Sequence, residues 1–135
     1  LMNAGSGPAG ALSYPLGVHF RVPHGLAGGV FLPFLVAHNV AGGYDYSGLH
    51  DAIRKGERSP GSPRGNQDFV GLLTRLNQKL AIPRDLGVFG VKRENAGPLL
   101  RDIESLGAAF AQNPVQFTVE DGKKMVLGMI EGVEE

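Results

Sequence analysis

The 135-residue chain contains no cysteine. That excludes disulfides, thiolate metal sites and cysteine nucleophiles, and it suits a cytoplasmic protein. Net charge is missing too, because 13 Lys and Arg balance 13 Asp and Glu. Nucleic acid or an anionic membrane would need a clustered positive excess, so neither partner is expected. The local group Arg54, Lys55 and Arg58 reads as a solvated loop face. Long apolar runs are also absent: Val30 to Ala37 is too short to span a bilayer, contains Pro33, and reads as a buried helix. The opening, Leu1-Met2-Asn3-Ala4-Gly5, has no positive segment followed by an apolar run, so no signal peptide is expected. A start on leucine rather than methionine suggests a fragment or a processed product. No G-x-S-x-G elbow, H-E-x-x-H or P-loop lysine motif occurs, and nothing supports an independent hydrolase. Strand signals are weak, since Phe89-Gly90-Val91 is too short to seed a sheet.

What is present points to one helical domain. Hydrophobic residues make up 42% and charged residues 19%, the range of an ordinary globular protein with a real core. Glycine and proline punctuate the chain: Gly42-Gly43 closes the first apolar segment, and Gly56 to Gly65 is the clearest loop. Phe69, Leu72, Leu73, Leu76 and Leu80 share one helical face, with Asn66 as a candidate N-cap and Pro83 past the end. Leu99, Leu100, Ile103 and Leu106 repeat the pattern. Thr118-Val119-Glu120-Asp121 reads as a capping box with acids at the positive end of the helix dipole. Met125, Val126, Met129, Ile130 and Val133 then form a core stripe, and Glu134-Glu135 a frayed acidic tail. The fold class is therefore all-α, a packed bundle of about five to seven helices.

Gly5-Ser6-Gly7-Pro8-Ala9-Gly10 matches the dinucleotide fingerprint G-x-G-x-x-G. The fingerprint has meaning only between a strand and the helix it opens. Only four residues precede it, Pro8 removes an N–H where a phosphate would sit, and Arg21 and His24 stand where an acid should follow. It reads as a decoy.

The region Ala11 to Asn39 carries the functional signal: a Y-P-L-G turn, a P-H-G-L-A step into a helix, an F-L-P interruption and a closing H-N. Pro23 suits a helix start, and His24 then falls in the first turn, where a histidine lining a cleft can act as a metal ligand. This region resembles the signature of iron-containing (group III) alcohol dehydrogenases, H-A-(L/M)-(A/S)-x-P-(L/I)-G followed by P-H-G-x-A-x-x-x-x-L-P. Leu76-Asn77 through Ala81-Ile82-Pro83 and Leu86-Gly87-Val88 resemble that family's helix ending in G-I-P and the short step after it. Asn113-Pro114 followed by Thr118-Val119-Glu120-Asp121 resembles its entry into the last helix.

The resemblance implies that residues 1–135 are a partial C-terminal helical domain, of the dehydroquinate synthase-like alpha type, without the N-terminal dinucleotide-binding domain. Family members use Fe2+ or Zn2+ with NAD(P); the metal is held by one aspartate and three histidines and polarises the alcohol or carbonyl oxygen. Of those ligands His24 matches one, while the position of a second falls at Gly10. A further family histidine near the substrate falls at Tyr14, which keeps a hydroxyl but does not titrate near neutrality. Tyr14 and His19 are the candidate substrate-pocket residues beside His24. His38 reads as a helix-end or surface residue and His50 as exposed. One ligand of four does not hold a catalytic metal, so no metal or NAD(P) is expected on this chain alone, and it is expected to be inactive by itself. Apolar surface bared by the missing helices favours a homo-oligomer. The alternatives are a non-enzymatic helical oligomerisation module and a small-ligand-binding module.

Overall fold

A computed structural model describes residues 7–53 and 65–130. The cluster Arg54, Lys55 and Arg58, most of the loop from Gly56, the opening residues Leu1 to Ser6, and Val133 with the acidic tail lie outside the described residues. The described part contains seven α-helices and no strand: α1 (Gly7–Phe20), α2 (His24–Ala41), α3 (Ser47–Ile53), α4 (Gly65–Lys79), α5 (Gly97–Ile103), α6 (Gly107–Phe110) and α7 (Val119–Ile130). Phe89-Gly90-Val91 belongs to no strand; Leu86–Phe89 and Arg93–Asn95 form 3-10 turns. Helices α1 and α2 pack most extensively on each other, with α5 and α6 against α1, α7 against α5, and α3 and α4 joined to α2 through α4. The core is built from Leu12, Leu16, Val30, Phe31, Leu99, Ile103, Phe110 and Val126, all essentially inaccessible. Helix α2 is long and apolar enough to cross a bilayer by length and composition. Its Ala27, Val30, Phe31, Leu35 and Val36 are nevertheless buried against the other helices, and so is the polar Asn39.

Two prolines inside helices shape this core. The Y-P-L-G segment is not a turn: Tyr14 to Gly17 continue α1, with Pro15 buried inside it. Pro15 withholds the N–H that Ala11 would receive one turn back. Pro15 is itself buried, as are Ala11, Leu12 and Leu16 of the same helix, so packing offsets the lost bond. The helix ends five residues after Pro15 instead, at Phe20, and the next residue, Arg21, adopts φ 59° with its N–H bonded to the Gly17 carbonyl at 3.0 Å. That is a left-handed cap without glycine.

Pro33 in α2 has a clearer consequence. It cannot supply an N–H to the carbonyl of Gly29. The amide of Asn77, on α4, donates to that same oxygen at 2.9 Å. A local defect in one helix has thus become the docking point of another. Asn77→Ala is expected to cost about 1–3 kcal/mol by stranding the Gly29 carbonyl. In a Pro33→Ala background residue 33 regains its N–H, and the cost of Asn77→Ala is expected to shrink towards zero. Urea unfolding of the four proteins measures that coupling; additive losses would show that the two residues act separately.

Helix α4 ends in a Schellman motif: the Ala81 N–H bonds the Gln78 carbonyl at 3.1 Å and the Ile82 N–H bonds the Asn77 carbonyl at 2.8 Å. The motif puts Ala81 at φ 58°, which a Cβ disfavours by about 1–2 kcal/mol. Ala81→Gly is therefore expected to stabilise the fold by roughly 1 kcal/mol. A lowered thermal midpoint in that variant would contradict the cap. On the shared face of α4, Phe69 is buried and Leu72 and Leu73 are half-buried, but Leu76 and Leu80 are exposed. Asn66 lies inside the helix, after Gly65, rather than ahead of it as the cap. Leu99 and Ile103 are core residues of α5, whereas Leu106 falls past its end and precedes α6. The predicted capping box of α7 is formed: the Thr118 N–H donates to Asp121 Oδ2 at 2.9 Å, and the Asp121 N–H donates to Thr118 Oγ1 at 3.1 Å. The Thr118 N–H holds the Asp121 carboxyl below the usual aspartate range.

Candidate functional site

The turn between α1 and α2 brings one functional cluster together. Pro23 is the N-cap of α2, with φ −56° and ψ 141°, and its carbonyl accepts the Ala27 N–H at 2.9 Å. That cap sets His24 at the first helical position, exposed. Across the turn, α1 presents Ser13, Tyr14, Gly17 and Val18; with Val22 and His24 they line an open cleft of about 430 Å3. The Tyr14 and His24 rings are 5.2 Å apart and inclined at 50°. Buried Ser13 lies beneath, its Oγ 2.6 Å from His24 Nδ1 and 2.6 Å from the Gly10 carbonyl. Sequence reasoning missed Ser13, although it stands next to Tyr14 in the quoted motif; only the fold shows that it reaches His24.

The other histidines serve the scaffold. His19 does not line the cleft; its Nε2 meets Asp102 Oδ2 at 2.7 Å and ties the end of α1 to α5. His38 Nε2 donates to the Gln116 carbonyl at 2.8 Å, with its ring edge-on to Phe117. His50 corrects the sequence reading. It is 2% exposed rather than solvated, because α3 packs on α4 and turns the imidazole edge-on towards Phe69. The glycine-rich opening supplies no phosphate loop among the described residues, since Gly7 to Gly10 form the first turn of α1. Beside it, Asn39 at the end of α2 and Asn113 before α7 form a reciprocal amide pair.

Among the described residues, the side chains present do not fit a divalent metal held by this chain alone. His24 Nδ1 is engaged by Ser13, leaving one imidazole nitrogen, and Gly10 offers no side chain. Among the described residues no three His, Asp or Glu side chains come close enough to hold a metal ion. Protein-held catalytic metals normally need three or more ligands.

The C-terminal family description of Fe-containing alcohol dehydrogenases matches residues 1–127. The chain belongs to the iron-containing alcohol dehydrogenase family. It is 31% identical over 118 residues to alcohol dehydrogenase 4 of Saccharomyces cerevisiae, covering 87% of this chain and 30% of that protein. It is 28% identical over 124 residues to lactaldehyde reductase of Escherichia coli, covering 88% of this chain and 31% of that one. With the NADPH-dependent butanol dehydrogenase of Clostridium saccharobutylicum it shares 24% identity over 139 residues, 98% of this chain and 34% of the relative. Among solved structures, a 1,3-propanediol oxidoreductase superposes with a TM-score of 0.63 at 21% identity, covering 92% of this chain and 32% of the other. That likeness shows the fold. The chain spans about a third of the length of these iron-type relatives and matches the C-terminal part of the family.

Proposed function

We propose that this chain is a cleft-lining part of the helical domain of an iron-type, NAD(P)-linked alcohol or aldehyde oxidoreductase, and that the 135 residues alone do not carry out the reaction. The observation that supports this reading is His24. It stands at the first position of α2, on the wall of a cleft shared with Tyr14, at the one ligand position of the family motif that keeps its histidine. Tyr14 would flank a small substrate, with Val18 and Val22 as the apolar side of the cleft. Among the described residues this cleft supplies a single imidazole, where a working metal site needs several ligands. The test is NAD(P)-dependent oxidation of short alcohols, and reduction of the matching aldehydes, by the purified chain with Fe2+ or Zn2+ added. No turnover above the metal-only control is expected. Turnover that disappears in His24→Ala would overturn the second half of the proposal.

A second reading is a non-enzymatic, self-associating helical module. It is favoured by Leu32 on α2, Leu49 on α3, Leu76 on α4 and Leu80 just past the end of α4, which are between 40% and 60% exposed. Exposed apolar clusters of this kind drive association. Light scattering after size exclusion distinguishes the readings: a dimer or larger species supports self-association, and a monomer at all concentrations removes it.

A further inference from the structure

The contact beneath His24 determines which of its nitrogens carries the proton. Ser13 Oγ has one hydrogen and two neighbours, each at 2.6 Å: the Gly10 carbonyl oxygen and His24 Nδ1. A carbonyl oxygen can only accept, so the hydroxyl hydrogen belongs on that contact, the usual back-bond of a serine inside a helix. Were it turned to His24 instead, two oxygens with no hydrogen between them would face each other at 2.6 Å. Ser13 Oγ must then accept from His24, and Nδ1 must carry the hydrogen. The neutral ring is left with its lone pair on Nε2, for which no protein partner occurs among the described residues.

We infer that Ser13 is the positioning residue of the cleft, holding His24 as the Nδ1–H tautomer so that Nε2 meets a ligand as an acceptor. Ser13 itself is 1% exposed and touches no ligand. Its part is to fix both the ring plane and the identity of the available nitrogen, as an outer partner does for a ligating or proton-accepting imidazole. A cleft so prepared takes a ligand that presents an electron-pair acceptor, a hydroxyl hydrogen or a cation, and disfavours one that presents only a carbonyl to that nitrogen. The inference deepens the reading of the cleft proposed above but rests on hydrogen-bond geometry alone, so it survives or fails independently of turnover.

The test is long-range proton–nitrogen NMR of the full 135-residue chain, with the pH raised until the His24 ring signals stop moving, so that the neutral ring is observed. The His24 signals are assigned by their loss in His24→Gln. Wild type is expected to show a proton-bearing Nδ1 and an unprotonated Nε2. Ser13→Ala is expected to lower the Nδ1–H to Nε2–H ratio about fivefold or more, the bias of a single hydrogen bond. Ser13→Thr, which keeps the hydroxyl, is expected to restore it. An Nε2–H ring in wild type would overturn the inference whether or not either variant folds. So would a ratio unmoved by Ser13→Ala in a protein with wild-type thermal midpoint.

Discussion

Phe110→Ala is expected to cost about 3–5 kcal/mol, the range for removing a fully buried aromatic ring. Helix α6 is only four residues long, carries no side-chain cap, and has Phe110 as its buried residue. The ring is inaccessible, meets Phe117 edge-on with centroids 4.9 Å apart, and lies against the backbone of α7 at Gly122. A Cβ at Gly122 would stand 2.9 Å from Phe110 Cε2 and 3.3 Å from Ile103 Cγ2, so α7 approaches that closely only because residue 122 has no side chain. The same geometry makes Gly122→Ala an overpacking change of about 1–3 kcal/mol in wild type. In the Phe110→Ala background it is expected to become neutral or stabilising, since the new methyl enters the cavity and alanine favours the helix. Urea midpoints with unchanged slopes measure both effects. A Phe110→Ala loss below about 1 kcal/mol would mean that the site closes without the ring and that α6 is held in another way.

Breaking the amide pair at the other end of α2 is expected to cost about 2–3 kcal/mol, because it strands buried polar atoms. Asn39 is 2% exposed. Its Nδ2 donates to Tyr46 Oη at 2.8 Å and to Asn113 Oδ1 at 3.1 Å, while Asn113 Nδ2 donates to Asn39 Oδ1 at 2.6 Å and to the Val115 carbonyl at 2.8 Å. Three of these bonds fasten the end of α2 to the loop before α7 and to the loop before α3, and the fourth holds Asn113 within its own loop. Asn39→Leu deprives Asn113 of both a donor and an acceptor. Asn113→Leu does the same in reverse. The double variant, with neither amide left wanting, is expected to cost clearly less than the two single losses added together. Strict additivity in thermal or urea unfolding would show that the pair is not a unit.

These two sites mark what was legible in the sequence and what was not. The helical stripe of α4 could be read from spacing, because Phe69, Leu72 and Leu73 share a face whatever covers it. Whether that face is covered is a tertiary matter, and Leu76 and Leu80 are not covered. The H-N at the end of α2 and the N-P before α7 were each visible as motifs, yet nothing local says that Asn39 and Asn113 pair across 74 positions. Proline misled in one place. Beside tyrosine and glycine, Pro15 reads as a turn, but burial of its ring within the core lets α1 run through it. Pro33 was legible as an interruption, but not as the reason Asn77 docks on Gly29. His50 shows the opposite limit: a polar stretch around it suggests solvent, while a neighbouring helix buries the one ring. In the cleft, His24 was found from its place after Pro23, and Tyr14 from the motif. Ser13 was not, because its role depends on where α2 turns back upon α1.

The central claim is that a helical scaffold of the iron-containing alcohol dehydrogenase family here keeps one ligand position, His24, without a metal site of its own. Calorimetric titration of the purified chain with Zn2+, alongside His24→Ala, tests it most directly. The account predicts at most weak binding, with no stoichiometric site and little difference between the two proteins. A stoichiometric, tight site that is lost in His24→Ala would contradict it.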